Sequence, residues 1–175
     1  MPTDLERFIR WYIVPIQLLK QIPNGDGAFA ALSIGFLLCE RYYKIKHTLP
    51  EDDKSVFKNE AAKDMDINME FFSVFWSTYR NGLMHVGNPM PYDRAGIKYK
   101  WRISHEFDEF PTYYDKDGFR FICLDPWKFT DCIVGKYLAK PENINGSVSY
   151  ELGHILTEEL VRTRRRVLSS QQYPI

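Results

Sequence analysis

Cysteine is scarce in this chain, and the three that occur, Cys39, Cys123 and Cys132, are odd in number and widely spaced. Without a Cys-x-x-Cys pair they offer neither a disulfide framework nor a zinc site, and buried free thiols are expected. Net charge is lacking too, since Lys and Arg total 23 and Asp and Glu total 23. A chain at electrical balance is not drawn as a whole to nucleic acid, so any RNA binding must use a local basic patch. Long apolar runs are missing. The longest, Ala28 to Cys39, is about half a membrane span and contains Ser33 and Gly35. The opening Met-Pro-Thr-Asp has no basic stretch followed by an apolar one, so no secretory signal is expected, and a soluble, cytoplasmic protein is. Pro23-Asn24-Gly25-Asp26-Gly27 reads as a turn, and with no Gly-Lys-Ser/Thr after it a phosphate-binding loop is excluded.

What is abundant is aromatic side chain, 15% of the 175 residues, with Trp11, Trp76, Trp101 and Trp127 spread along the chain. That length and apolar content fit one well-packed domain over residues 1–175. Thr3-Asp4-Leu5-Glu6 is a capping box opening a helix with Leu5, Phe8, Ile9, Tyr12, Ile16 and Leu19 at helical spacing, which Pro15 should kink. A second helix is expected over 28–46, core in its first half and wet in its second. A third, more polar one is expected over 51–65 as a surface element with Val56, Ala61 and Ala62 as its few apolar contacts. Met69 to Tyr79 is apolar almost all round, so this helix should be buried. Gly87-Asn88-Pro89-Met90-Pro91 closes it.

Beyond Pro91 the period changes from helical to alternating. Ile97, Tyr99, Trp101 and Ile103 alternate with Lys98, Lys100 and Arg102, and Phe119, Phe121 and Cys123 form a second strand after the Asp115-Lys116-Asp117-Gly118 turn. His105 beside Glu106, Asp108 and Glu109 reads as a solvated acidic loop rather than a metal site. Asp125-Pro126 starts a further helix, ended by Lys140-Pro141. A last amphipathic helix carries Leu152, Ile155, Leu156 and Leu160 and finishes in Arg162, Arg164, Arg165 and Arg166. Those arginines suit a helix C-terminus through the macrodipole alone; a patch for an RNA backbone is the lesser alternative.

The stretch that carries chemistry is Tyr79-Arg80-Asn81-Gly82-Leu83-Met84-His85. Arginine is permanently charged and matches phosphate geometry, and histidine moves a proton most readily near neutral pH. A buried helix that delivers Arg, Asn and His to its end is costly unless those groups have partners or a task. One reading is that Arg80 pairs with an acidic neighbour and His85 helps to end the helix. The other is catalytic. Arg80-Asn81 followed by three residues and His85, on a helix of a helical segment, resembles the HEPN superfamily, many of whose members are ribonucleases of toxin, antiviral and RNA-processing systems. Arg41 and His47 have a similar spacing but lack the polar second position. Some branches of the family carry a tyrosine two residues after the histidine, where Gly87 stands here.

The resemblance implies a mainly α fold, a HEPN-like up-and-down helical bundle with a small β-hairpin insertion at about 95–125. It implies a metal-independent endoribonuclease with Arg80 and His85 catalytic, Asn81 supporting, no metal and no cofactor. RNA, a second copy of the chain and a neutralising antitoxin or other protein would be its partners, and no membrane is involved. The alternative is a catalytically silent HEPN-like module for dimerisation or partner binding. On an ideal α-helix residues five apart lie about 140° around the axis and about 7.5 Å along it, so Arg80 and His85 do not converge on one point. Loosening of the last turn by Gly82, or a symmetric dimer with the motif near its two-fold axis, is expected to bring them together.

Overall fold

A computed structural model describes residues 3–48, 54–107 and 111–145. The last helix expected from the sequence, with Arg162, Arg164, Arg165 and Arg166, lies outside the described residues, as do Asp108 and Glu109. Thr3 caps α1 (Asp4–Phe8) through the capping box with Glu6. A π-turn over Ile9–Ile13 follows, then α2 (Val14–Lys20) with Pro15 in its first turn. Proline cannot donate in a helix, and the widened turn just before it accommodates the break in the ladder. Helix α3 (Ala28–Lys46) starts at Gly27, where any Cβ would run into the Leu19 carbonyl. Its second half is not simply wet, because Tyr42, Tyr43 and Lys44 are buried along with its first half.

Helix α4 (Lys54–Asp64) also corrects a sequence expectation. It is more than a surface element, since Phe57 is fully buried between Phe72 and Trp76, with Ala61 and Ala62 behind it. The motif helix is built of α5 (Met69–Trp76), a π-turn over Ser77–Asn81 and α6 (Gly82–Val86), closed by Gly87 in the left-handed conformation. Phe72, Val74, Phe75, Trp76, Thr78 and Tyr79 are buried, as the apolar pattern anticipated.

The expectation of a helical bundle with a small hairpin is overturned. The strands β1 (Tyr92–Arg94), β2 (Ile97–Ile103), β3 (Thr112–Lys116) and β4 (Phe119–Leu124) form one mixed sheet in the order β1-β2-β4-β3. The fold is therefore mixed α and β, with helices packed on one face of a sheet. The β3–β4 hairpin does form around Asp117 and Gly118, both at positive φ, as the turn residues demand. It does not stand apart, however. Strand β4 inserts beside β2 in parallel, with Tyr99 opposite Arg120 and Ile103 opposite Leu124. A parallel pair needs a crossover, which no local turn signal announces.

This register puts Tyr99, Trp101, Ile103, Ile122 and Leu124 on the face that meets the helices. The Tyr79 hydroxyl is buried against the carbonyls of Arg102 and Ile122, at 2.9 and 2.8 Å, and so fastens the motif helix to both strands. Helix α7 (Pro126–Ala139), capped by Asp125, lies along α3, and the Tyr137 hydroxyl donates to the Leu38 carbonyl at 2.9 Å. Of the cysteines, Cys39 and Cys123 are buried, and burial pushes the Cys123 thiol up to about 11; Cys132 is exposed, against expectation.

Asp64 joins three helices. It accepts from Tyr43 at 3.0 Å and from Lys136 at 3.1 Å, and Lys46 stands 3.9 Å away. Burial alone would raise its pKa, but the hydrogen bonds from Lys136 and Tyr43 outweigh that and hold it below the ordinary carboxylate range. A carboxyl lowered by folding contributes stability that is complete above its unfolded pKa and is lost as pH falls through the folded one. Asp64→Asn should therefore lower Tm by about 2–4 °C near neutral pH, for a loss of about 1 kcal/mol. Thermal unfolding of both proteins should converge below the carboxylate range; a constant gap down to strong acid would refute the assignment.

Candidate functional site

Helix α3 contributes a carboxylate and an amine one turn apart, Glu40 and Lys44, whose side chains meet at 3.0 Å. The motif helix brings Arg80 onto the same carboxylate, Nη2 to Oε2, at 3.0 Å. Arg80 also reaches the Asn81 side-chain oxygen at a long 3.4 Å. Glu40 thus stands between two cations, with its side chain 17% exposed and that of Arg80 24% exposed. A cavity of about 120 Å³ opens beside them, lined by Glu40, Phe57, Lys58, Trp76, Arg80 and Asn81. Its floor is aromatic, because Trp76 is stacked on Phe72 at 5.6 Å and meets Phe57 edge-on at 4.9 Å.

The π-turn also shapes the chain beyond Arg80. Within it the Thr78 carbonyl accepts the N–H of Met90 at 2.9 Å, which draws the chain back over the helix. Gly82 is where the two segments touch. A Cβ there would lie 2.6 Å from the Asn88 carbonyl oxygen and 2.7 Å from the Met90 nitrogen. Glycine at this position therefore serves close approach rather than a loosened last turn. Tyr79, fully buried one residue before the arginine, fixes the helix against the sheet, and burial pushes its phenol up.

Arg80 and Asn81 share one cavity, but His85 is not among the residues that line it. It is exposed in α6, before the chain turns at Gly87, and makes no side-chain hydrogen bond or ion pair among the described residues. The π-turn ends at Asn81 and ordinary α-helix carries the chain on to His85. The cavity therefore joins Arg80 to Asn81 and not to His85. The acidic partner weighed for Arg80 in the sequence is Glu40. In the sequence this end of α3 stands out only as its wet half; the four-residue spacing of Glu40 and Lys44 is the signal that they act together. Nothing in the sequence marked Phe57 or Lys58.

One further feature of the arginine bears on chemistry. Its Nε is buried and has no acceptor among the described residues, although Nη1 and Nη2 are engaged. A buried N–H without an acceptor carries a desolvation cost, which marks the arginine as held here against its own solvation. Other ionisable side chains are held elsewhere: His105 lies 3.7 Å from the buried Asp125 and accepts from the Trp127 indole at 3.3 Å. No helix among the described residues is long and apolar enough to cross a membrane. Comparisons with family models, curated proteins and solved structures give no match to this chain.

Proposed function

We propose that this chain is a metal-independent endoribonuclease, in which Arg80 holds and stabilises the scissile phosphate and His85 transfers the proton. The observation that carries this reading is the Arg80 guanidinium in the wall of a cavity it shares with Asn81. A phosphate oxygen is the acceptor a guanidinium matches best. His85 as general base takes the proton of a ribose 2′-hydroxyl, the oxygen attacks phosphorus, and the P–O5′ bond breaks as the 5′-oxygen receives the proton that the His85 imidazolium gives back. The products are a cyclic phosphate and a 5′-hydroxyl end, and Arg80 offsets the negative charge that grows on phosphate. Asn81 orients the arginine or the phosphate. The spacing of Arg80, Asn81 and His85 supports the comparison with HEPN ribonucleases of toxin and antiviral systems, with an antitoxin-like protein as a neutralising partner.

Because His85 lies outside the cavity of its own Arg80, the complete site takes Arg80 from one copy and His85 from another. A homodimer is thus part of the proposal. The test is incubation of the purified protein with a mixed RNA pool in EDTA, with end-group analysis and solution scattering. Cyclic phosphate ends and a dimer are expected. Intact RNA, or a monomer at all concentrations, would refute it. The second reading, a silent dimerisation or partner-binding module, is favoured by the Glu40 carboxylate, which already neutralises Arg80 at 3.0 Å.

A further inference from the structure

The face of the sheet turned away from the helices carries a row of rings and cations. Pairing places Lys100 of β2 opposite Phe121 of β4, and Tyr114 of β3 on the other side of Phe121. Lys98, Arg102 and Phe119 share this face by the two-residue alternation of their strands. Tyr114 and Phe121 lie nearly parallel, 7° apart with centroids at 5.2 Å. The Lys100 ammonium sits 3.5 Å from the Phe119 ring centroid, and Arg102 donates to the Tyr114 hydroxyl at 3.2 Å. Lys98 and Arg102 are exposed, and the three rings are half-buried. Lys116 adds a fourth cation, whereas Asp93, opposite Lys98, is the carboxylate on this face among the described strand residues. Glu106, just past β2, approaches Arg102 at 3.5 Å.

The outward face of a sheet covered on one side is ordinarily polar. Rings interleaved with cations there, in a chain of zero net charge, are a local departure that calls for a ligand with flat apolar surfaces and negative charge together. Unpaired bases and their phosphates supply both, since every base has a face that stacks on a ring and each phosphate attracts a cation. A duplex hides its base faces and matches the charges alone. We propose that this face of the sheet binds single-stranded nucleic acid, with bases against Phe119, Phe121 and Tyr114 and phosphates at Lys98, Lys100 and Arg102. In the free protein Lys100 covers Phe119, and its flexible stem lets it move to a phosphate and release the ring. The platform is separate from the Arg80 cavity and does not depend on cleavage there.

The experiment is fluorescence anisotropy of the full chain with labelled oligodeoxythymidylate of about twelve nucleotides. Lacking a 2′-hydroxyl, this probe cannot undergo the proposed cleavage, so binding is read apart from it. Binding is expected to exceed that of a duplex of equal length and to fall with salt at a log–log slope of about −2, for three phosphate contacts. Lys98→Glu with Arg102→Glu should weaken it at least about 10-fold and flatten the slope. Phe121→Leu, which keeps apolar bulk but removes the ring face, should weaken it about 10-fold at an unchanged slope. The proposal is overturned by no binding at low salt, by equal affinity for duplex, or by sheet variants that bind as wild type while Arg164→Glu with Arg165→Glu abolishes binding. It is equally overturned if the Lys98 and Arg102 reversals turn a dimer into a monomer, which would make this face a contact between copies.

Discussion

His85→Ala and Arg80→Ala should each reduce RNA cleavage by about 10²-fold to 10⁴-fold, the usual loss when a positioned acid–base group or a charge-stabilising donor is removed. The two variants differ in what else they disturb. His85 is exposed and without side-chain partners among the described residues, so its removal should leave Tm within about 2 °C of the parent. Arg80 shares Glu40 with Lys44, and Glu40 keeps that second partner when the guanidinium is gone. A modest loss of stability is expected there, and refolded, soluble Arg80→Ala should still be inactive. Mixing supplies the decisive outcome. If each site takes Arg80 from one copy and His85 from the other, a heterodimer of the two variants contains one intact site, and random exchange restores about a quarter of wild-type sites. Restored cleavage distinguishes a composite site from a site within one chain, for which mixing recovers nothing. Equal cleavage by wild type and both variants would remove Arg80 and His85 from the chemistry altogether.

The helices were legible because their signals are local. The bounds of α3, the capping box at Thr3, the Asp125 cap and the Gly87 stop all depend on residues within a turn of the boundary. So were β2, β4 and the Asp117-Gly118 turn. The sheet as a whole was not, because the parallel alignment of Ile97–Ile103 with Phe119–Leu124 is set by tertiary packing around Tyr79, Ile122 and Leu124. Strand β1 has only three residues, too few to show a period. In the candidate site, the motif named Arg80, Asn81 and His85, but spacing says nothing of a π-turn, which shifts the helical phase by one residue. Gly82 was legible as unusual and not for its reason, since the segment it admits lies six to eight residues further on. The basic and aromatic face joins the wet half of the β2 alternation, Lys98, Lys100 and Arg102, to the apolar half of the β4 alternation, Phe119 and Phe121; only the pairing of β2 with β4 makes it one surface.

Phe36→Ala should be the most destabilising of the changes considered, at about 3–5 kcal/mol and a Tm about 10 °C lower or more. Phe36 is fully buried at the junction of three helices. Its ring centroid lies 4.6 Å from that of Phe129 on α7, 5.4 Å from Phe75 and 5.5 Å from Trp76 on the motif helix, with Tyr79 at 6.3 Å. The void left by alanine cannot be closed by bringing α3 nearer to α7. At Gly35 the two helices already touch so closely that a Cβ would lie 2.9 Å from the Thr130 methyl. Cavities that the surroundings cannot fill carry the full transfer and contact loss. Leu37→Ala is the matched control, because that side chain is 51% exposed on the same helix and should change stability by no more than about 0.5 kcal/mol. Denaturant unfolding of both variants measures the contrast. Comparable losses would mean that α3 does not face the motif helix as described, and the positions of Glu40 and Arg80 would fall with it.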